Sequence, residues 1–226
     1  MRINTAYLLK TLVVPRTATH LQLTPHLYVM PSLRFLILPL LFLASVSFAK
    51  DALTVDRVKF SPTKDSWVQM EIQISCDGNP APDAKNARYL EGVKLKAYLA
   101  YSEDGAQGKF SYYMSEVEIV IMEKGDTNNV YFYLPGMIVD RDRLKNDPDY
   151  FYVEVSIGDN VLPPQKEAMS SSIKNLQILE SMKAKANSEG EANADILMPV
   201  YLAPPAYLGR IDRLPLFLRR DPRPQQ

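Results

Sequence analysis

The residue types that most often carry chemistry are scarce in this chain. Its two histidines, His20 and His26, both precede the segment interpreted below as an export signal. A mature chain without histidine has no Ser-His-Asp or Cys-His nucleophile and no histidine-bound zinc, copper or iron. The single cysteine, Cys76, excludes an internal disulfide. It falls at an inward position of a predicted strand, which favours a buried structural thiol.

Carboxylates are the remaining candidates for catalysis or metal binding. Glu116 and Glu118 lie two residues apart on one predicted strand and therefore share a face. Such a pair could serve a hydrolase as acid and base, but a solvated strand face carries the same pattern. The acidic residues between Asp140 and Asp149 could bind calcium, but they lack the spacing and central glycine of an EF-hand loop, and Arg141 can pair with them. We predict no catalytic residue, no metal site and no cofactor.

A segment near the start of the chain has the pattern of a secretory signal peptide. It begins at Met30, continues through an apolar run at residues 35–42, and ends with small side chains at Ser47 and Ala49. This order predicts cleavage after Ala49, with retention as an anchor as the alternative. The apolar run is shorter than the roughly 20 residues of a membrane span. We expect residues 30–49 to be a signal peptide.

The segment before Met30 does not match the pattern of a signal peptide. Residues 1–29 carry three basic residues and no acidic residue, and they are longer than the usual start of a signal peptide. We interpret them as upstream translated or disordered sequence, with Met30 as the true start. The protein is then expected in the periplasm or on the outer surface of a Gram-negative bacterium. Export with only one cysteine fits a bacterial envelope protein.

The mature chain alternates apolar and polar residues with the period of strands. The runs at residues 53–60, 68–76, 93–101, 110–121, 130–134 and 150–157 are bounded by proline, glycine, asparagine or aspartate. Only the connection at residues 137–149 has room for a helical turn. About seven short strands joined mostly by turns predict an all-β antiparallel sandwich.

The residue pattern no longer has the period of strands after the last of these runs. Ile173, Leu176, Leu179 and Met182 are spaced for one face of a helix, although a final strand is the competing interpretation. Residues 184–194 are small and polar, and we interpret them as a linker. Residues 196–226 are rich in proline and apolar residues and end in a basic stretch, so they predict an extended tail.

Two groups of residues are candidates for partner contact. Alternation places Tyr98, Tyr131, Tyr133 and Tyr152 on outward strand faces, where tyrosine suits protein or glycan contact. Ordinary cross-strand pairing is the competing explanation for these tyrosines. The second group lies in the tail, which could dock on a partner or pack back onto its own sandwich. It comprises Tyr201, Tyr207, Leu216, Phe217, Arg219 and Arg220.

Two sequence runs carry a resemblance to a known group of proteins. They are Tyr-Phe-Tyr-Leu-Pro-Gly at residues 131–136 and Asp-Tyr-Phe-Tyr-Val-Glu-Val at residues 149–155. With the strand order, they resemble immunoglobulin-like envelope proteins encoded beside type IV pilus genes in mucus-dwelling Gram-negative bacteria. The resemblance covers roughly residues 51–179. It implies an immunoglobulin-like sandwich, which with its following helix spans residues 50–183, and a role in a pilus or on the cell surface without enzymatic activity.

The chain departs from a standard type IV pilin, because its apolar run is short and ends in a cleavage site. The resemblance therefore implies an accessory or assembly component with protein partners in the envelope. A zero net charge gives no attraction to nucleic acid. Self-association is compatible with the sequence. A carbohydrate- or host-protein-binding module that uses the tyrosine face is the first alternative, and a carboxylate-based hydrolase is the second.

Overall fold

The computed structural model describes residues 52–103 and 108–219, all within one compact unit. The predicted upstream segment and signal peptide lie outside these residues. The described chain forms nine strands and two α-helices. The strands are β1 (Leu53–Pro62), β2 (Val68–Cys76), β3 (Tyr89–Ser102), β4 (Phe110–Glu123), β5 (Thr127–Leu134), β6 (Tyr150–Ile157), β7 (Asn160–Val161), β8 (Met198–Pro199) and β9 (Leu216–Leu218). The helices are α1 (Gly136–Arg141) and α2 (Leu176–Glu189). Among the described helices, none combines the length and apolarity that crossing a membrane requires.

The strands form two antiparallel sheets that pack face to face. Sheet 1 has the order β1-β2-β5-β8, and sheet 2 has the order β7-β6-β3-β4-β9. All the pairs are antiparallel, as the turn-rich sequence predicts. The prediction of an antiparallel β-sandwich with a C-terminal helix is confirmed, and the chain is mostly β.

Strand alternation builds the core between the sheets. In β2, Met70, Ile72 and Ile74 are all at most 1% exposed and face the inner side. They meet inward residues of β5 and of sheet 2, such as Phe132 and Leu95. Each fully buried large apolar side chain contributes about 1.5–3 kcal/mol relative to exposure. Cys76 joins this core, and burial raises the pKa of its thiol. The thiol is therefore a packing group, as its strand position predicts.

The turn between β1 and β2 leaves no room for a side chain at position 136. Asp65 and Ser66 adopt positive φ angles of 54° and 62° between β1 and β2. The first residue of α1, Gly136, packs directly against this turn, and a Cβ atom at Gly136 would collide with the Asp65 carbonyl. Glycine is therefore required at this position for α1 to close the end of the sandwich.

Helix α2 covers the outer face of sheet 2. The Asn175 side chain caps its start by accepting a hydrogen bond from the Ile178 amide at 2.9 Å. Leu179, Met182 and Ala186 form the buried face. The helix prediction is confirmed over the competing strand, but the helix begins after Ile173 and continues into the predicted linker. The linker prediction is wrong, because α2 runs to Glu189 and a 3₁₀ turn follows it.

The tail after residue 194 packs onto the same sandwich. Strand β8 pairs with the edge of β5, and β9 pairs with the edge of β4 in the other sheet. Between these two strands the chain crosses the outer face of sheet 1 and contacts Trp67, Tyr131 and Tyr133. The expectation of a separate linker and tail at residues 184–226 is therefore corrected for the described residues up to 219.

Candidate functional site

The four candidate tyrosines lie on the outer faces of the sheets, as alternation predicts, but they are not exposed. Tyr131 and Tyr133 on sheet 1 are 1% and 0% exposed, and Tyr98 and Tyr152 on sheet 2 are each 2% exposed. The tail covers the first pair and α2 covers the second. This corrects the prediction of an outward tyrosine surface for a partner. An aromatic sheet face is a large apolar area, and here the chain supplies its own cover.

The environment of these tyrosines is that of packed side chains. Tyr98 and Tyr152 stack with ring centroids 6.1 Å apart, and the Lys96 ammonium lies 5.0 Å from the Tyr98 ring. Burial raises the pKa of Tyr133 to about 12, and the neighbouring Gly209 backbone opposes only part of this rise. The buried Tyr133 hydroxyl has no well-aligned hydrogen-bond partner among the described residues. The cross-strand packing interpretation therefore holds for Tyr98 and Tyr152, whereas Tyr131 and Tyr133 are packed under the tail.

The predicted docking tail is anchored to its own sandwich. Tyr207 stacks on Trp67 at 4.8 Å with an interplanar angle of 7°, and the Thr63 hydroxyl donates to the Tyr207 carbonyl at 2.8 Å. Tyr201 packs against Phe217 at 5.6 Å. Three of the six predicted docking residues are thus internal anchors. Leu216 and Arg219 are exposed, and Arg220 lies outside the described residues.

Asp212 clamps the end of this crossing segment to β5. Its carboxylate accepts hydrogen bonds from the Asn129 side-chain amide at 2.7 Å and from the Tyr131 hydroxyl at 3.1 Å. These two bonds hold the pKa of Asp212 below its ordinary value. The Asn129 backbone amide also donates to the Arg213 carbonyl at 2.9 Å. Charge-assisted hydrogen bonds therefore fix the segment at the point where it leaves sheet 1.

An apolar patch remains uncovered along β9. Leu214, Leu216 and Leu218 are 44%, 63% and 43% exposed, and the neighbouring Val120 of β4 is 39% exposed. We call these four residues the β9 patch. Strand β9 is the last strand of sheet 2 on this side, so its outer edge pairs with no other described strand. An apolar strand at a sheet edge is a template for pairing with another chain.

Two clefts flank the β9 patch. One, of about 340 Å³, lies in the tail and is lined by apolar residues that include Leu208, Ile211 and Leu216. The other, of about 450 Å³, lies between β4 and the segment around β8, with Leu218 at its edge. In this second cleft, the edge of β4 before Glu118, at residues 110–117, pairs with no described strand on the β9 side. An extended peptide could therefore find both backbone partners and apolar contacts here.

The carboxylates singled out from the sequence have ordinary structural partners. Glu116 and Glu118 lie directly across from Lys96 and Lys94 of β3. Opposite charges at paired positions stabilise the solvated face of a sheet. This arrangement supports the interpretation that the two glutamates lie on a solvated face of the strand.

The acidic connection also forms internal ion pairs. The Arg141 guanidinium donates two hydrogen bonds to the Asp142 carboxylate at 2.6 and 2.7 Å, and the Tyr113 hydroxyl donates a third at 3.0 Å. The Arg141 contact holds the pKa of Asp142 below its ordinary value. At Asp149, burial would raise the pKa, but hydrogen bonds led by the Ser102 amide outweigh it. Pairing of the acids with Arg141 is therefore confirmed at Asp142.

Comparison with known proteins gives a fold likeness alone. No family model and no curated protein matches the sequence. Three solved chains match in structure, one of which is a crystal structure of a protein from Akkermansia muciniphila. The likeness has a TM-score of 0.52 and 15% sequence identity, and it covers 75% of this chain and 93% of that one. The chain is therefore similar in its overall sandwich fold to a bacterial protein.

Proposed function

We propose that the chain is an exported, non-enzymatic, immunoglobulin-like component of the bacterial envelope. It assembles with protein partners of a type IV pilus or of a related secretion or adhesion system. The observation that carries this proposal is the β9 patch, where apolar side chains and an unpaired strand edge coincide among the described residues. Such an edge suits an added strand from another protein.

The strand order supports the immunoglobulin-like part of the proposal. In these sandwiches, strands A, B and E share one sheet, and strands G, F, C and C′ share the other. Here β1, β2 and β5 occupy the positions of A, B and E. The order β7-β6-β3-β4 corresponds to G-F-C-C′ in the second sheet. The short strands β8 and β9 are additions from the tail at the edges of this arrangement.

A carbohydrate- or host-protein-binding module that uses the four tyrosines is not favoured, because all four side chains are buried by the chain itself. The hydrolase alternative needs two carboxylates that converge on a substrate. Glu116 and Glu118 instead face lysines across the sheet. We therefore propose protein docking at the β9 patch in preference to either alternative.

A photo-crosslinking residue at Leu216 tests this proposal in the bacterium that makes the protein. Leu176 of α2 provides a matched control, because both leucines are exposed to a similar extent, 63% and 65%. We expect an adduct with an envelope protein of a pilus or secretion system at position 216 and none at position 176. Equal labelling at both positions, or no adduct at position 216, would contradict docking at the β9 patch.

Sequencing of the N-terminus of the natural protein tests the export part of the proposal. Cleavage after Ala49 predicts a mature chain that begins at Lys50. Recovery of a chain that still begins at Met1 would contradict both the internal start and the cleavage.

A further inference from the structure

A polar trough lies on the outer face of sheet 1, beside the tail. Its floor is formed by β1 and β2, its far wall is the tail segment around residues 209–213, and its volume is about 470 Å³. The tail covers the β5 side of this face and leaves the β1 side open. The residues that matter for its chemistry are Arg57, Lys59, Glu71, Arg210, Asp212 and Arg213.

A bulge in β1 aims the basic side chains into this trough. The register with β2 shifts between Val55 and Arg57. Val55 is fully buried in the core, whereas Arg57 is exposed. Residues two apart on a regular strand share a face, so Arg57 would point inward without the shift. The bulge therefore places Arg57 in phase with Lys59 on the outer face, roughly 7 Å apart along the strand.

The trough has more positive than negative charge. Four of its lining residues are basic and two are acidic. Glu71 pairs with Arg57 at 2.8 Å, and Asp212 lies 3.6 Å from Arg210. Lys59 and Arg213 form no ion pair with a described carboxylate. Lys59 lies opposite Glu71 in the register of β1 and β2, but the Glu71 carboxylate is engaged by Arg57. Lys59 and Arg213, one on each side of the trough, therefore keep donors available to an anionic ligand.

The neutral groups between these cations indicate the kind of anion. Ser61 and Gln73 line the same floor and offer hydroxyl and amide groups. The aromatic ring that lines this trough, Tyr131, is 1% exposed, so it offers no platform for the bases of a nucleic acid. Cations interleaved with neutral hydrogen-bonding groups match a ligand that carries both anionic groups and hydroxyls.

We propose that the polar trough binds an acidic oligosaccharide. Lys59 and Arg213 contact its sulfate or carboxylate groups, and the Ser61 and Gln73 side chains hydrogen-bond its hydroxyls. This site is distinct from the β9 patch, so the protein can hold a saccharide and a protein partner at the same time. It also differs from the tyrosine surface expected from the sequence, because it uses charged and amide groups.

Titration of the purified protein with a sulfated oligosaccharide at low ionic strength tests this proposal. We expect saturable binding that weakens about twofold to thirtyfold in the double variant Lys59→Gln/Arg213→Gln, since two exposed ionic contacts of ~0.2–1 kcal/mol each are lost. Binding should also weaken as salt is added. The matched control is Lys124→Gln/Lys166→Gln, which removes two exposed lysines outside the trough. The variant Lys59→Arg/Arg213→Lys keeps both charges and should keep binding.

Two further ligands complete the test. The desulfated form of the same oligosaccharide should bind weakly, because it lacks the anionic groups. A single-stranded DNA of equal charge should bind more weakly than the sulfated saccharide, because it finds no ring to stack on. The proposal is overturned if the trough variant and the control variant bind the saccharide equally, or if DNA binds more tightly.

Discussion

Trp67 is the only tryptophan in the chain, and it reports directly on the position of the tail. Trp67 is 8% exposed, and Tyr207 stacks on its ring. A stacked aromatic pair contributes about 0.5–1.5 kcal/mol beyond the area that it buries. The fluorescence of Trp67 should therefore distinguish a docked tail from a released one without any added label.

The substitution Tyr207→Ala should expose Trp67 while the sandwich stays folded. We expect a red shift of its emission and easier quenching by iodide, with an unchanged far-ultraviolet circular dichroism spectrum. Tyr89→Ala is a suitable control, because Tyr89 is half-buried at the far end of sheet 2. If the emission of the Tyr207→Ala protein equals that of the wild type, stacking on Tyr207 is not what shields Trp67.

Asp212 makes tail docking sensitive to pH. Hydrogen bonds from Asn129 and Tyr131 lower the pKa of this carboxyl in the folded protein. A lowered pKa stabilises the folded state above the unfolded pKa of about 4, and this contribution is lost as the pH falls toward the folded value. Acid should therefore weaken the clamp between the tail and β5.

The variant Asp212→Asn tests this pH dependence. The difference in urea midpoint between wild type and Asp212→Asn should be largest near neutral pH and shrink below about pH 4. The shrinkage is expected because a protonated Asp212 resembles the amide of the variant. A difference that stays constant from neutral to acid pH would show that the ionised carboxylate does not stabilise the fold.

Helix α2 offers a comparison between two leucines on one element. Leu179 is 1% exposed against sheet 2, whereas Leu176 is 65% exposed. Replacing a buried leucine by alanine costs about 2–5 kcal/mol through lost burial and the cavity that remains. An exposed leucine loses little of either.

We therefore expect Leu179→Ala to lower the free energy of unfolding by about 2–4 kcal/mol and Leu176→Ala by less than about 0.5 kcal/mol. Urea unfolding followed by circular dichroism measures both values. Similar losses for the two variants would mean that α2 is not held on sheet 2 by its Leu179 face.

The elements with clear periodicity could be predicted from the sequence. Strands β2 and β6 match the predicted runs at residues 68–76 and 150–157, because one face is buried and the other is polar. The β1 bulge could not be predicted, since a shift of one residue needs a partner strand to define it. The course of the tail could not be predicted either. Its prolines exclude regular structure, but its apolar residues fit a partner surface as well as the chain's own sheet.

The candidate site was predictable only in part, and for the same reason. Alternation correctly assigns Tyr131 and Tyr133 to the outer face, but it does not say what covers that face. The sequence predicts Leu216 as a docking residue, and this leucine is exposed in the β9 patch. The pairing of β9 with β4, which makes this leucine part of a sheet edge, joins residues about a hundred positions apart. Contacts at such separation leave no periodic signal in one sequence.

At the scale of the whole molecule, the tail is part of the fold that presents the β9 patch. It completes one edge of each sheet and covers the aromatic face of sheet 1. Truncation after Ala194 should therefore expose Tyr131 and Tyr133 and leave the β4 and β5 edges unpaired. Such surfaces promote aggregation, so we expect a lower thermal midpoint and oligomers in size-exclusion chromatography.

Truncation after Arg219 is the matched control, because it keeps every described residue of the tail. This shorter deletion should behave as the full chain in stability and should still recover its partner from an envelope extract. The Ala194 truncation should lose the partner, since it removes β9 together with three of the four residues of the β9 patch. Unchanged partner recovery after truncation at Ala194 would place the docking surface elsewhere. A stable monomer after that truncation would show that the tail is dispensable for the fold.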